Sequence, residues 1–172
     1  VGMPRSGSTL LENILSLNSD VTDMGEVNFL EESVKEAKDL EDVNDLYEKK
    51  IINQFKSSLI YTDKNLFNYM YCPIISNFFP NAKIINCIRN PLDNILSIYR
   101  ANFLNQSFSS SLNDITNLYV HYFETIDEYK IKYGKNIYDY YYEDLIENPN
   151  DVIPRIINWL DWDWDEKYLS PH

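Results

Sequence analysis

The sequence predicts an α/β domain built on a parallel sheet flanked by helices, and three features predict it. Short apolar segments alternate with longer stretches in helical period. A glycine-spaced turn, Gly2-Met3-Pro4-Arg5-Ser6-Gly7-Ser8-Thr9, runs straight into such a stretch. The apolar run Lys83 to Ile88 reads as a strand covered on both faces. It stops at Arg89, at the kind of strand end where open parallel sheets bind ligands.

Each element has its own reason. Ser8 to Leu17 carries Leu10, Leu11, Ile14 and Leu15 at helical spacing, so the turn feeds a helix N-terminus. Asn18 to Asn28 is polar and reads as a loop, with Gly25-Glu26 inside it. Phe29 to Phe55 is charged and helical in period, with a break predicted near Asp42 to Asn44. Leu59 to Thr62 is a short strand ending in Asp63-Lys64-Asn65, and Leu66 to Phe79 is helical until Pro80-Asn81 stops it. Pro91 fits the first turn of a helix whose apolar face is Leu92, Ile95, Leu96 and Tyr99. Leu112 to Tyr133 is a long helix with Leu118, Tyr119, Tyr122, Phe123 and Ile126 in period and Gly134 as its cap. Asn136 to Tyr142 is a strand, Pro149 to Leu160 a final helix, and a Trp-rich tail follows.

The chain has 172 residues, room for one domain with a substantial core, and 44% of them are hydrophobic. Cys72 and Cys87 read as two buried thiols. A net charge of -12 opposes nucleic acid and anionic membranes, so a bound anion must be held by local cations and backbone donors. No apolar run reaches the roughly 20 residues of a membrane-spanning helix. The sequence begins at Val1, directly at the turn, and is expected to be a fragment: the strand leading into the turn and an element beyond His172 are predicted to be truncated.

Four constellations could carry chemistry. The opening turn has the glycine spacing and terminal Thr of a P-loop, but Ser8 stands where a nucleotide triphosphatase has its phosphate-gripping Lys. Backbone N–H groups at the helix start favour an anion, and Arg5 is the substitute cation. Arg89-Asn90-Pro91-Leu92-Asp93 with Ser97 offers a guanidinium and a hydroxyl for a second phosphate, although Arg89 could equally pair with Asp93. Asp63-Lys64-Asn65 offers either a carboxylate for a metal, as in triphosphatases, or a cation over the same edge. Glu26, in the loop beyond the first helix, could be an ordinary surface charge; with His121 on the long helix and His172 terminal, a carboxylate would have to act as the base if a hydroxyl is to lose its proton.

These residues together resemble the PAPS-dependent sulfotransferases, with the nearest likeness to bacterial ones linked to tetratricopeptide repeats and to tyrosylprotein sulfotransferases. Val1 to Leu10 is similar to the family's 5′-phosphosulfate loop, and Ile88 to Asp93 through Ser97 and Tyr99 to its 3′-phosphate element. Asp63-Lys64-Asn65 resembles its lysine strand end, Gly25-Glu26 its glutamate loop and Tyr142 to Leu145 its YEDL segment. Trp162 to His172 looks like the segment before its last substrate loop. Asn90 and Asn65 depart from the usual acidic and Pro or Leu residues.

The resemblance implies one sulfotransferase domain over residues 1–172. It would take 3′-phosphoadenosine 5′-phosphosulfate (PAPS) as donor, with no metal, and a hydroxyl acceptor: carbohydrate, lipid-linked, small molecule or protein tyrosine. Catalysis would fall to Glu26, Lys64 and Arg5. The donor would be held by Arg5, Ser6, Gly7, Ser8, Thr9, Leu10, Arg89, Ser97 and Tyr142. Tetratricopeptide repeats could precede the domain. A bacterial protein of this kind would be cytoplasmic, and a tyrosylprotein type would be in the Golgi lumen. The alternatives are a P-loop kinase or triphosphatase and a non-catalytic nucleotide-binding domain.

Overall fold

The computed structural model describes residues 1–101, 103 and 106–170. The regular elements are α1 (Ser8–Leu15), β1 (Val21–Asp23), α2 (Phe29–Glu36), α3 (Val43–Gln54), β2 (Ile60–Thr62) and α4 (Cys72–Phe78). After them come β3 (Ile84–Ile88), α5 (Pro91–Ala101), α6 (Leu112–Tyr133), β4 (Ile137–Tyr141), α7 (Tyr142–Glu147) and α8 (Pro149–Trp159).

Among the described residues the named strands form two parallel pairs. β3 lies beside β4 with Ile84 opposite Ile137 and Ile88 opposite Tyr141. β1 lies beside β2 with Val21 opposite Ile60 and Asp23 opposite Thr62. Val1 and Gly2 run along the other edge of β3, where the Cys87 N–H donates to the Val1 carbonyl at 2.9 Å. The Gly2 N–H reaches the Leu66 carbonyl, just past β2, at 3.4 Å. The opening turn therefore springs from between the two pairs.

Two large apolar clusters cover β3 and β4. Leu11, Ile14 and Leu15 of α1 meet Tyr140 of β4 and Ile153, Ile156 and Ile157 of α8. On the other side Ile84 meets Ile98 of α5 and Ile115, Tyr122 and Ile126 of α6. Each such side chain contributes about 1.5–3 kcal/mol by leaving water. A polar chain threads this core: Tyr122 bonds to Asn86, Asn86 Nδ2 donates to Asp139 at 2.9 Å, and Lys130 closes on Asp139 at 2.7 Å. Those bonds tie α6, β3 and β4 in one register. Cys72 and Cys87 are buried free thiols, as their apolar neighbours imply.

Several elements differ from the sequence reading. The Asn18–Asn28 loop contains β1, whose three residues are too few to show a period. Leu66–Tyr71 winds as a 3-10 helix before α4 begins. The helix pair breaks at residues 37–42, slightly earlier than expected, with a 3-10 turn at Leu40–Asp42. Gly134 has φ −58 and leads α6 into a 3-10 turn, so it is not a left-handed cap. Tyr142 opens α7 rather than ending β4.

The face of α5 is the largest correction. Leu92, Leu96 and Tyr99 are exposed, while Asn94 and Ile98 are fully buried. The Asn94 Nδ2 donates to the Pro4 carbonyl at 2.8 Å, and that bond turns α5 so its polar residue faces the opening turn. Of the Trp-rich tail, residues 171–172, including the predicted His172, lie outside the described residues.

Candidate functional site

The opening turn is shaped by three backbone constraints. Gly2 has φ 148, Arg5 φ 66 and Gly7 φ 93. A left-handed Arg5 costs about 1–2 kcal/mol, strain of a kind that collects at ligand clamps. Gly7 has no room for a side chain: a Cβ there would stand 2.3 Å from Tyr142 Cδ2. No side chain caps α1, so the N–H groups of Ser8, Thr9 and Leu10 point out of the helix start without an acceptor one turn back. The Ser6 Oγ is buried beneath the turn with no partner.

Arg89 joins this turn from the end of β3. Its Nη1 donates to the Arg5 carbonyl at 3.0 Å, and its guanidinium lies 4.8 Å from the centre of the Tyr142 ring. The Arg89 Nε is buried without a partner. Arg5 Nε in turn donates to Ser97 Oγ at 3.3 Å. Asn90 accepts the Leu92 and Asp93 N–H groups on its Oδ1, so the residue replacing the usual acid is a helix cap. Its own N–H donates to Glu143 at 2.9 Å.

The third edge comes from the ends of β1 and β2. Gly25, at φ 65, turns the chain after β1, and its carbonyl accepts the Lys64 N–H at 2.8 Å. Lys64 Nζ then lies 2.9 Å from Glu26 and 3.9 Å from the buried Glu12 of α1. Glu12 also accepts the Thr62 hydroxyl at 3.2 Å, and burial pushes its carboxyl above the usual range. Asn65 Nδ2 donates to the Val27 carbonyl and to Asn28, tying the lysine end to the glutamate loop. Asp63 turns the other way. It accepts the Tyr47 hydroxyl at 3.0 Å and the Asn65 N–H at 2.9 Å, and burial raises its pKa.

Two cavities open over these groups and meet at Arg5 and Arg89. One, of about 470 Å³, is walled by Gly7, Ser8, Thr9, Leu10, Glu26 and Tyr142 among others. The second, of about 440 Å³, lies against α5 beside Ser97 and Arg100. Every expected site residue except Ser6 and Lys64 thus reaches a cavity wall: Ser6 lies under the turn, and Lys64 stands one contact behind Glu26. The long-helix histidine, His121, is on the exposed face of α6.

Sequence reasoning missed Glu12, Arg100, Asn94 and the wall formed by Phe67, Phe103 and Gln106. Glu12 had a signal, a charge on the apolar face between Leu11 and Ile14. The aromatic wall had none, because Phe67 and Phe103 meet only in three dimensions.

The sequence profile described as "Sulfotransferase family" matches residues 1–56 and 39–166. An Aquifex aeolicus protein named "Uncharacterized protein" is 28% identical over 200 residues, covering 99% of this chain and 26% of that one. A Caenorhabditis briggsae protein, named as a candidate protein-tyrosine sulfotransferase, is 25% identical over 99% of this chain and 67% of its own. The chain thus spans about a quarter of the first relative and about two thirds of the second. Among solved structures, the sulfotransferase domain of the curacin biosynthetic pathway superposes with TM-score 0.70 at 18% identity, covering 99% of this chain and 75% of that one. That of a Synechococcus olefin synthase gives 0.70 at 20% identity, covering 99% and 74%. A mouse sulfotransferase complexed with PAP gives 0.60 at 19% identity, covering 98% and 59%.

Proposed function

We propose that this chain, which belongs to the sulfotransferase family, moves a sulfuryl group from PAPS to an acceptor hydroxyl. The observation that carries the reading is the meeting of Arg5, Arg89 and Ser97 between two cavities, so that two anionic groups of one donor can be gripped from one side. The residues fit such a donor. The α1 start offers uncapped N–H groups, the absence of a side chain at Gly7 lets the Tyr142 ring close against the turn, and the buried Arg89 Nε lacks an acceptor.

The donor supplies an activated sulfuryl group, and the protein supplies grip, orientation and proton transfer. Arg5 and the N–H groups of Ser8, Thr9 and Leu10 hold the phosphosulfate end. Gly7 and Tyr142 shape that wall, while Ser6 supports the turn from below. Arg89, Ser97 and Arg100 hold the 3′-phosphate and so discriminate against ordinary nucleotides. Glu26 takes the acceptor proton. A carboxylate suffices because the hydroxyl acidifies as its bond to sulfur forms, by analogy with loose phosphoryl transfer. Lys64 and Arg5 offset charge developing on the bridging and equatorial oxygens, and losing either costs about 3 kcal/mol of transition-state stabilisation.

The acceptor is an uncharged hydroxyl compound. Leu66, Phe67 and Phe103 share the wall with Glu26, and the cations of that cavity, Arg5 and Arg89, belong to the donor. An acidic tyrosine peptide would meet a chain of net charge -12 with no basic patch of its own on that wall among the described residues. A triphosphatase is less well supported, because the Asp63 carboxylate already accepts bonds from Tyr47 and Asn65.

Calorimetry on the full-length protein tests the reading. 3′,5′-ADP is expected to bind at least about a hundredfold tighter than 5′-ADP, and Arg89→Ala to erase most of that difference. Tighter binding of ATP with magnesium than of 3′,5′-ADP would overturn it.

A further inference from the structure

We propose that Glu12, buried on α1, is a positioning residue that holds the Lys64 ammonium beside Glu26, so that the lysine keeps an anionic partner when Glu26 takes up a proton. The inference rests on the sulfuryl-transfer reading for its consequence, but not for its geometry. Glu12 is 7% exposed and is flanked along α1 by the core residues Leu11, Ile14 and Leu15. Its carboxylate accepts the Thr62 hydroxyl of β2 at 3.2 Å and lies 3.9 Å from Lys64 Nζ. The Lys64 side chain is itself only 13% exposed, and its nearer partner, Glu26, is 65% exposed at the mouth of the cavity.

A buried carboxylate adds little net stability beyond what it repays in desolvation, so what its partners do points to its use. Charge conservation at this edge says what that use is. In the resting protein Lys64 has two carboxylates, one buried and one facing the acceptor. During transfer the acceptor hydroxyl loses its proton to Glu26, which becomes neutral. Without Glu12, that same event would leave a mostly buried ammonium unpaired, and breaking a buried pair is strongly unfavourable. With Glu12, the positive charge stays anchored and Glu26 is free to change its ionisation.

The same helix also links the two ends of the reaction. The first turn of α1 presents the uncapped N–H groups of the donor grip, and Glu12 follows one turn later on the side facing β2. A donor seated on the helix start is therefore in fixed register with the lysine that Glu12 holds.

Glu12→Gln in the full-length protein tests this, with two readouts. The first needs no donor: acetylation of Lys64 by acetic anhydride, followed by mass spectrometry against the exposed Lys35, is expected to rise at least about threefold. The second is kinetic: kcat should fall at least about tenfold while both KM values and 3′,5′-ADP affinity stay within about twofold. The midpoint of thermal unfolding should not fall, because a buried charge has been removed. Unchanged Lys64 labelling overturns the proposal, as does unchanged kcat, and so does a joint loss of kcat, KM and unfolding midpoint, which marks a packing role. Should Glu12→Gln not fold, Thr62→Val, which removes the hydroxyl orienting Glu12, is read by the same two assays, and no change in either overturns it. If the unaltered protein transfers no sulfuryl group, the function reading fails alone, and the labelling arm still decides whether Glu12 holds Lys64.

Discussion

The two strand pairs carry different groups of the site and are built to different standards. β3 and β4 pair over five residues, bury Ile84, Asn86 and Cys87 on β3, and lie between the two large apolar clusters. β1 and β2 pair over three residues, none of them fully buried, beside a small cluster of Met24, Phe29 and Ile51. The first pair carries Arg89 and braces the opening turn. The second carries Glu26 and Lys64. In the proposed reaction, gripping a doubly phosphorylated donor calls for hydrogen-bond donors fixed before the ligand arrives. Moving a proton in that reaction calls for a carboxylate whose partner can change, and the Glu26–Lys64 ion pair at the end of the short strands would supply it. Burial here follows strand length.

A matched pair of glycine substitutions should break the comparison most severely. Gly7→Ala must displace the Tyr142 ring, 2.3 Å from the new Cβ, at a φ of 93. It is expected to lower stability by about 2–4 kcal/mol and to cost about a hundredfold in 3′,5′-ADP affinity. Gly25→Ala meets no atom within 4 Å at a φ of 65, so only the backbone penalty remains, about 1–2 kcal/mol. Denaturant unfolding with calorimetry separates them. Equal losses of donor affinity would show that the two regions are not independent.

Glu26→Gln sharpens the same division. Turnover should fall about 10²-fold or more, with 3′,5′-ADP affinity unchanged. Single-turnover kinetics with a neutral phenol as acceptor gives the answer, and unchanged turnover would remove Glu26 from the mechanism.

The smallest expected effect is in pH dependence. Burial raises the Glu12 carboxyl above its ordinary range, so between its unfolded and folded pKa values the folded state binds more protons than the unfolded. Its contribution is therefore most favourable in acid and is lost as pH rises through the folded value. Urea unfolding from acid to neutral pH should show Glu12→Gln gaining on the unaltered protein as pH climbs. A difference that shrinks over that range would contradict the sign.

Local pattern made much of this legible. The long helix Leu112–Tyr133, the strand ending at Arg89 and the turn from Gly2 to Thr9 were all readable, because a sustained period or a glycine spacing is a property of neighbours in the chain. So were Arg5, Arg89 and Ser97 as candidates, from residue type and position at an element's end. What joins them was not. Arg5 bonds to Ser97 across 92 residues, Asn94 to Pro4 across 90 and Thr62 to Glu12 across 50. Those bonds set which face of α5 is buried, why a glutamate sits in the α1 core and how β1 completes a strand pair too short to announce itself. Amino-acid order determined the elements and the chemistry available at their ends. Tertiary packing alone decided which ends meet, because a hydrogen bond or ion pair is a matter of a few ångströms, and distance along the chain does not supply them.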